Sequence, residues 1–298
     1  MMRWQSELLA ARAAASGWGG DGFVPRGFPL VIERALCHDA GQMKTEADIQ
    51  RRFGGVARLY GEEALAHLSA AHVCVIGIGG VGSWAAEALA RSAVGRITLI
   101  DLDHVSESNV NRQIHALEGE FGRAKVTVMA ERILAINPQC QVTAIDDFIT
   151  AENVAELLPQ CDAVLDAIDN VRAKAALINH CRRIGLPVVT TGGAGGRSDP
   201  TRIQVADLSR TVQDPLASRV RARLRKEYGF TREPKKKFGV DCVFSVEPIV
   251  LPERPACDLD EVGLVGLNCA GYGSTVTVTA SFGLVAAARV LERLMRAA

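Results

Sequence analysis

Eight cysteines are scattered through the chain without one Cys-x-x-Cys pair among Cys37, Cys74, Cys140, Cys161, Cys181, Cys242, Cys257 and Cys269. Structural zinc sites are built from thiolates paired at that spacing, so no zinc site is expected. Net charge is missing as well: 34 Lys and Arg balance 34 Asp and Glu, and the overall charge therefore says nothing about nucleic acid. The amino-terminal residues lack the compact apolar core of a secretory signal, and the protein is expected in a reducing cytoplasm with free thiols. One charge-free run, Val262 to Ala288, is long enough to cross a bilayer. Its five glycines, Asn268, Tyr272 and many Ser and Thr residues favour buried loop, strand and helix, so no stable membrane association is expected.

What is present is concentrated between Val75 and Gln113. His72 to Ile76 reads as a short apolar strand that stops at Gly77-Ile78-Gly79-Gly80-Val81-Gly82, where missing side chains let the backbone turn tightly and approach a ligand. In the helix that follows, Val81, Trp84, Ala85, Ala88 and Leu89 recur at helical spacing and mark one face for packing on a sheet. The free N–H groups at its start would face an anion. A second strand, Arg96 to Ile100, ends in Asp101, roughly 20 residues past the glycines, where an acid takes a ribose hydroxyl. Up to this point the pattern fits a nicotinamide-dependent oxidoreductase or a plain nucleotide-binding module equally well.

The loop after Asp101 changes that balance. Asp101 to Gln113 holds Asp103, Asn109, Asn111, Arg112 and Gln113, side chains for which a dehydrogenase has no joint use. Lys125 follows thirteen residues after Arg112, early in a helix with the apolar stripe Val126, Met129, Ile133 and Ile136. Taken singly, Arg112 and Lys125 read as surface charge and the asparagines as turn residues. Together near a glycine turn they suit a triphosphate. Downstream, Asp162 to Ile168 reads as a buried strand ending in Asp169-Asn170, before a helix containing Ala175, Ile178 and Cys181. Asp169 then either holds Mg²⁺ against phosphates or caps that helix.

In this order and spacing the residues from Arg52 to Val205 resemble the ThiF/MoeB/HesA group of adenylating enzymes, related to the ubiquitin-activating enzymes. The resemblance implies activation of a carboxylate with ATP as an acyl-adenylate. Asp101 would bind the ribose, Asn109, Arg112 and Lys125 the phosphates, and Asp169 a Mg²⁺ ion, with Gly77, Gly79, Gly80, Gly82, Asp103, Gln113 and Asn170 completing the nucleotide site. Arg112, Lys125 and Asp169 are the catalytic candidates. The group also supplies a phosphate-contacting arginine from a partner subunit, which implies a homodimer. The matching stretch here, Arg52-Phe53-Gly54-Gly55, has glycine where the second arginine stands, leaving Arg52 or Arg58 for that contact.

Further segments narrow the resemblance: Thr190 to Gly196, Gln213 to Leu216 and Gly239 to Ser245 are similar to the branch that dehydrates threonylcarbamoyladenosine in tRNA. That branch implies a tRNA substrate whose free carboxylate is adenylated and then attacked from within. A cysteine desulfurase or sulfur-acceptor system would be a partner. The alternative is adenylation of a ubiquitin-like sulfur-carrier protein. Relatives use a cysteine covalently, but Cys242 sits between Asp241 and apolar Val243 and Phe244, so a buried structural role is expected ahead of a substrate-site or covalent one. Arg219, Arg221, Arg223, Arg225, Lys226, Arg232, Lys235, Lys236 and Lys237 face only Asp214, Glu227 and Glu233 in the same stretch. They form a solvated loop on their own and, with the resemblance, a contact for tRNA phosphates, above all Arg232, Lys235, Lys236 and Lys237.

The chain is expected to be α/β: residues 1–47 an extension, disordered or preceding a true start at Met43, and 48–298 one ThiF-type adenylation domain. Strands at 72–77, 96–101, 141–146, 162–168 and 187–191 alternate with helices, predicting a Rossmann-like, mostly parallel sheet covered on both faces. Segments at 201–207 and 242–247 are expected to extend it. A last helix, 283–296, is expected to present Leu284, Ala288, Leu291 and Met295 on one face and to pack at the edge.

Overall fold

The computed structural model describes residues 30–31, 46–251 and 272–296. Eight strands form one sheet: β1 (Leu30–Val31), β2 (His72–Ile76), β3 (Arg96–Ile100), β4 (Gln141–Ile145), β5 (Ala163–Asp166), β6 (Val188–Thr191), β7 (Ile203–Asp207) and β8 (Asp241–Ser245). Their spatial order is β1-β4-β3-β2-β5-β6-β8-β7. The six inner strands run parallel, while β1 pairs antiparallel with β4 and β7 with β8. The seven strands expected from the sequence lie within two residues of their expected limits. β1 falls inside the expected extension, whose other described residues are 46 and 47, the first two of a helix. The remainder of that stretch, Met43 included, lies outside the described residues.

The strands are apolar at almost every position because both faces are covered. Val73 and Val75 of β2 face one core, with Ile97 and Leu99 of β3, and Cys74 and Ile76 face the other. On the first face lie α1 (Glu46–Tyr60), α2 (Glu62–Ala70), α3 (Gly82–Arg91), α4 (Lys125–Ile136) and α8 (Val276–Arg296). On the second lie α5 (Val154–Leu157), α6 (Val171–Ile184) and α7 (Pro215–Glu227). Asn170 starts α6 by accepting hydrogen bonds from the amides of Arg172 and Ala173, and Gly185, at φ +73°, ends it.

Two helices depart from expectation. Helix α3 is buried around most of its circumference, including Gly82, Ala86 and Ala90, whereas Trp84 and Ala88 of the expected face are half-buried. The reason is α8, which packs along α3 in the same layer on the sheet. Helix α8 itself begins seven residues ahead of the expected 283 and does not lie at the edge: it rests on β5, β6 and β8 in the middle of the sheet. Its buried face is Val278, Phe282, Gly283, Ala286, Ala287, Val290, Leu291 and Leu294, leaving Leu284 exposed. A Cβ on Gly283 would lie 2.4 Å from the carbonyl oxygen of Val81 and 2.9 Å from Trp84 Cβ, so only glycine lets these helices approach so closely. Among the described residues no helix is long and apolar enough to cross a membrane. Residues 262–271 of the charge-free run lie outside them.

Candidate active site

In this strand order the crossover direction reverses at β2, and ligands in open α/β sheets sit at the carboxyl ends of strands where that happens. A cleft of about 710 Å³ opens there. The glycine turn forms its floor. Gly77 has φ +86°, and a Cβ on it would meet the Ala167 carbonyl at 2.9 Å; a Cβ on Gly82 would stand 1.8 Å from Gly77 O. Gly77 thus lets β2 turn under the end of β5, and Gly82 lets α3 begin against the turn. No side chain caps α3, so its first amides carry the partial positive charge of a helix start.

Gly77, Gly79, Gly80, Asp101, Asp103, Asn109, Arg112, Gln113, Lys125, Asp169 and Asn170 all line the cleft. Gly82 lies just behind it. Asp101 is fixed by amides, accepting from Ile78 N at 2.5 Å and Asp103 N at 2.8 Å. Burial pushes its carboxyl upward, against the opposing pull of Lys125 and those amides. Neither cationic candidate is ordinary surface charge. Lys125 is 5% exposed and its Nζ lies 2.7 Å from Asp103 Oδ2; Arg112 is partly buried, with Nη1 donating to Ser108 O at 2.6 Å and Asn111 Oδ1 at 3.0 Å. Burial draws its guanidinium somewhat below the ordinary value. Asn109 is buried and closes a 3₁₀ turn over Glu107–Asn109, its Oδ1 accepting from Ser106 N.

The cap of α6 is Asn170, not Asp169, which corrects one of the two readings of Asp169 and leaves its carboxylate at the cleft. It also limits Asn170, whose Oδ1 is engaged by Arg172 N at 2.9 Å and Ala173 N at 3.1 Å, so its amide nitrogen is what remains for a ligand. Five cysteines among the described residues, Cys74, Cys140, Cys161, Cys181 and Cys242, are free thiols.

Cys242 does not line the cleft. It is fully enclosed in β8, where burial and the nearby Asp214 push its thiol far above the ordinary range; a substrate-site role is not supported by this placement. Arg52 and Arg58 lie on α1 outside the cleft, Arg52 donating to Ile136 O. The basic stretch divides. Arg221 bonds Thr211 and Arg225 stacks on Phe238, itself edge-on to Phe230, whereas Arg219, Lys226, Arg232, Lys235, Lys236 and Lys237 are exposed.

Three parts of the site were not assigned from the sequence. One wall is the loop Phe148–Glu152, which carries no motif. A second is Thr191–Gly195, held from behind by a buried pair: Asp214 Oδ2 accepts from Gly193 N at 3.0 Å, and Arg197 Nε donates to Gly193 O at 2.9 Å with Nη2 3.5 Å from Asp214. A Cβ on Gly192 would stand 2.0 Å from that carboxylate. The third is the ion pair of Lys174 and Asp166 beneath the cleft, with Thr190 Oγ1 donating to Asp166 at 2.6 Å. Lys174 shares its helix face with Ile178 and Cys181, a charge on an apolar stripe that marks it for a buried partner.

A model of the ThiF family matches residues 53–297. The tRNA threonylcarbamoyladenosine dehydratase of Escherichia coli (strain K12) is 55% identical over 252 residues, which cover 83% of this chain and 94% of that protein. The crystal structure of E. coli tRNA N6-threonylcarbamoyladenosine dehydratase, TcdA, in complex with ATP matches with TM-score 0.77 and 52% identity, covering 86% of this chain and 98% of that one. The complex of the same protein with AMP matches with TM-score 0.77 and 52% identity, covering 86% and 99%.

Proposed function

The chain belongs to the ThiF family, and on that premise we propose that it is an ATP-dependent dehydratase of threonylcarbamoyladenosine in tRNA. The convergence of Asp101, Asn109, Arg112, Lys125 and Asp169 on one cleft at the reversal of the sheet supports the ATP-dependent part, and the 55% identity to the E. coli tRNA threonylcarbamoyladenosine dehydratase supports the substrate. The reaction is ligase-type and AMP-forming. The free carboxylate of the threonyl group attacks the α-phosphorus of ATP, a C–O–P bond forms, and pyrophosphate leaves. An internal nucleophile of the same modified nucleoside then attacks the activated carbonyl, the ring closes, and AMP departs with the oxygen that the nucleoside loses. Tethering supplies proximity, on the order of 7–11 kcal/mol in the best intramolecular cases, so no cysteine nucleophile is needed.

The chain's own residues have separable tasks. Asp101 receives the ribose, its two oxygens already oriented by amides. The start of α3, Asn109, Arg112 and Lys125 meet the phosphates, and the two cations stabilise charge as it moves onto the leaving pyrophosphate. Lys125 must exchange Asp103 for a phosphate oxygen, which keeps the lysine poised at the cleft until nucleotide arrives. Asp169 lines the cleft at the end of β5, and a hard carboxylate beside a phosphate site suits Mg²⁺, which takes one or two carboxylates plus phosphate oxygens and water; Asp169 would hold it. The ion would supply charge neutralisation to the triphosphate.

Several finer parts of this reading go with it. Arg52 or Arg58 reaches the phosphates of a second copy in a homodimer. Arg232, Lys235, Lys236 and Lys237 track the tRNA backbone. The compartment is the cytoplasm, and a sulfur-acceptor system is a partner. Nucleoside mass spectrometry tests the central claim: tRNA bearing threonylcarbamoyladenosine is incubated with the protein and Mg²⁺, with and without ATP. ATP-dependent loss of one water from that nucleoside is expected. An unchanged mass, from folded protein that binds ATP, would transfer the assignment to a sulfur-carrier substrate.

A further inference from the structure

Arg112 belongs to a loop, and loops hold charged side chains loosely unless something fixes the backbone. Here the backbone is fixed from two helices. Trp84 Nε1, on α3, donates to Arg112 O at 3.0 Å. Thr279 Oγ1, on the first turn of α8, lies 3.4 Å from the same oxygen while also within reach of Thr275 O, just ahead of the helix, and of Val276 O. The loop is tied a second time, to the segment leading into α8, by Asn111 Nδ2, which donates to Ser274 O at 2.9 Å. The stem of Arg112 crosses Gly80, where an added Cβ would lie 3.3 Å from Arg112 Cγ and 3.5 Å from Thr279 Cβ. The arginine stem and the threonine therefore both face the space that a side chain at Gly80 would fill.

We propose that Trp84 and Thr279 are positioning residues for Arg112, pinning its carbonyl and stem so that the guanidinium meets the triphosphate already ordered. Nothing in the glycine-turn pattern assigns either of them a task. Trp84 serves through its indole N–H rather than its ring, and Thr279 through a hydroxyl proton shared with the carbonyls at the start of α8. The proposal rests on the reading of Arg112 as a phosphate ligand.

The test is a pair of measurements on the full chain: ATP affinity by calorimetry, and the ATP and tRNA dependence of dehydration. Trp84→Phe keeps the ring and removes the donor. It is expected to weaken ATP binding about threefold to tenfold, the range of one net hydrogen bond, and to raise KM for ATP with KM for tRNA unchanged. Thr279→Val should do the same to a smaller degree, and Thr279→Ser should restore binding. In an Arg112→Ala background the Trp84→Phe effect should vanish. Unchanged ATP affinity in Trp84→Phe, or an equal loss with and without Arg112, would overturn the proposal, since a purely structural tryptophan changes the folded fraction and not the affinity of folded protein. If Trp84→Phe does not fold, Thr279→Val against Thr279→Ser decides in the same way. Should Arg112→Ala alone leave ATP affinity intact, the phosphate assignment of Arg112 fails, and this proposal with it.

Discussion

Lys174 Nζ lies 2.8 Å from Asp166 Oδ2, and both side chains are almost wholly enclosed beneath the cleft. Asp166 also accepts from Thr190 Oγ1 and Ile168 N, and its carbonyl receives Thr191 Oγ1, so one carboxylate organises the ends of β5 and β6 under Asp169 and Gly192. Removing one partner of such a pair leaves an uncompensated buried charge. Lys174→Met is expected to cost about 3–5 kcal/mol, and Lys174→Met combined with Asp166→Asn to recover part of that. Urea unfolding of the parent and the two variants measures it; a double variant no better than the single would show that the charge is not the cause.

Cys242 is expected to be dispensable for chemistry. The nucleophile in cysteine chemistry is the thiolate, and burial holds this thiol protonated. Cys242→Ser should dehydrate the modified nucleoside at a rate within a few-fold of the parent. A folded but inactive variant would restore the cysteine to the mechanism.

Acid sensitivity should trace in part to His115. The side chain is 1% exposed, and neither ring nitrogen has a hydrogen-bond partner among the described residues. Burial, with Lys125 and Arg132 nearby, lowers its pKa to about 4. The unfolded chain takes up a proton near pH 6.5 that the folded chain refuses, so stability falls as pH drops from about 6.5 to about 4, by up to about 3 kcal/mol. His115→Leu should remove that segment of the stability–pH curve while leaving stability near pH 8 little changed. Parallel curves for both proteins would refute the assignment.

The exposed lysines of the 232–237 loop should act on tRNA through charge alone. Changing Lys235, Lys236 and Lys237 together to Gln is expected to weaken tRNA binding and to lower the slope of log affinity against log salt by roughly 2, since each phosphate contact contributes about 0.7–0.9. Filter binding at several salt concentrations reads both. A weakened affinity with an unaltered slope would point to a contact of another kind.

The parallel strands were legible because each is short, apolar and closed by glycine, proline or acid, and because a sheet covered on both faces leaves few polar positions to confuse the pattern. The convergence on the cleft was legible for Asp101, Lys125 and Asp169 because they stand beside strand ends and a helix start that the sheet brings together, whereas Arg112, on a loop, was legible only from its place in the motif. Helix α8 was misread at its start because Thr275-Val276-Thr277-Val278-Thr279 alternates with the period of a strand and is rich in β-branched residues; packing on α3 overrides that local preference. The wall Phe148–Glu152 was illegible because no motif marks it. The pairing of Asp214 with Arg197 was not legible because it spans a turn whose shape no local signal encodes.

The docking of α8 through Gly283 also has a consequence for biosynthesis. Its first turn completes the cleft that begins at Gly77, yet it leaves the ribosome long after the glycine turn has emerged. Competence to bind nucleotide therefore arises late, when a contact of high sequence separation finally closes, and ligand binding adds its free energy to that last closure. ATP would then act as a reporter of finished chains, protecting them from proteolysis and leaving those with an undocked α8 exposed.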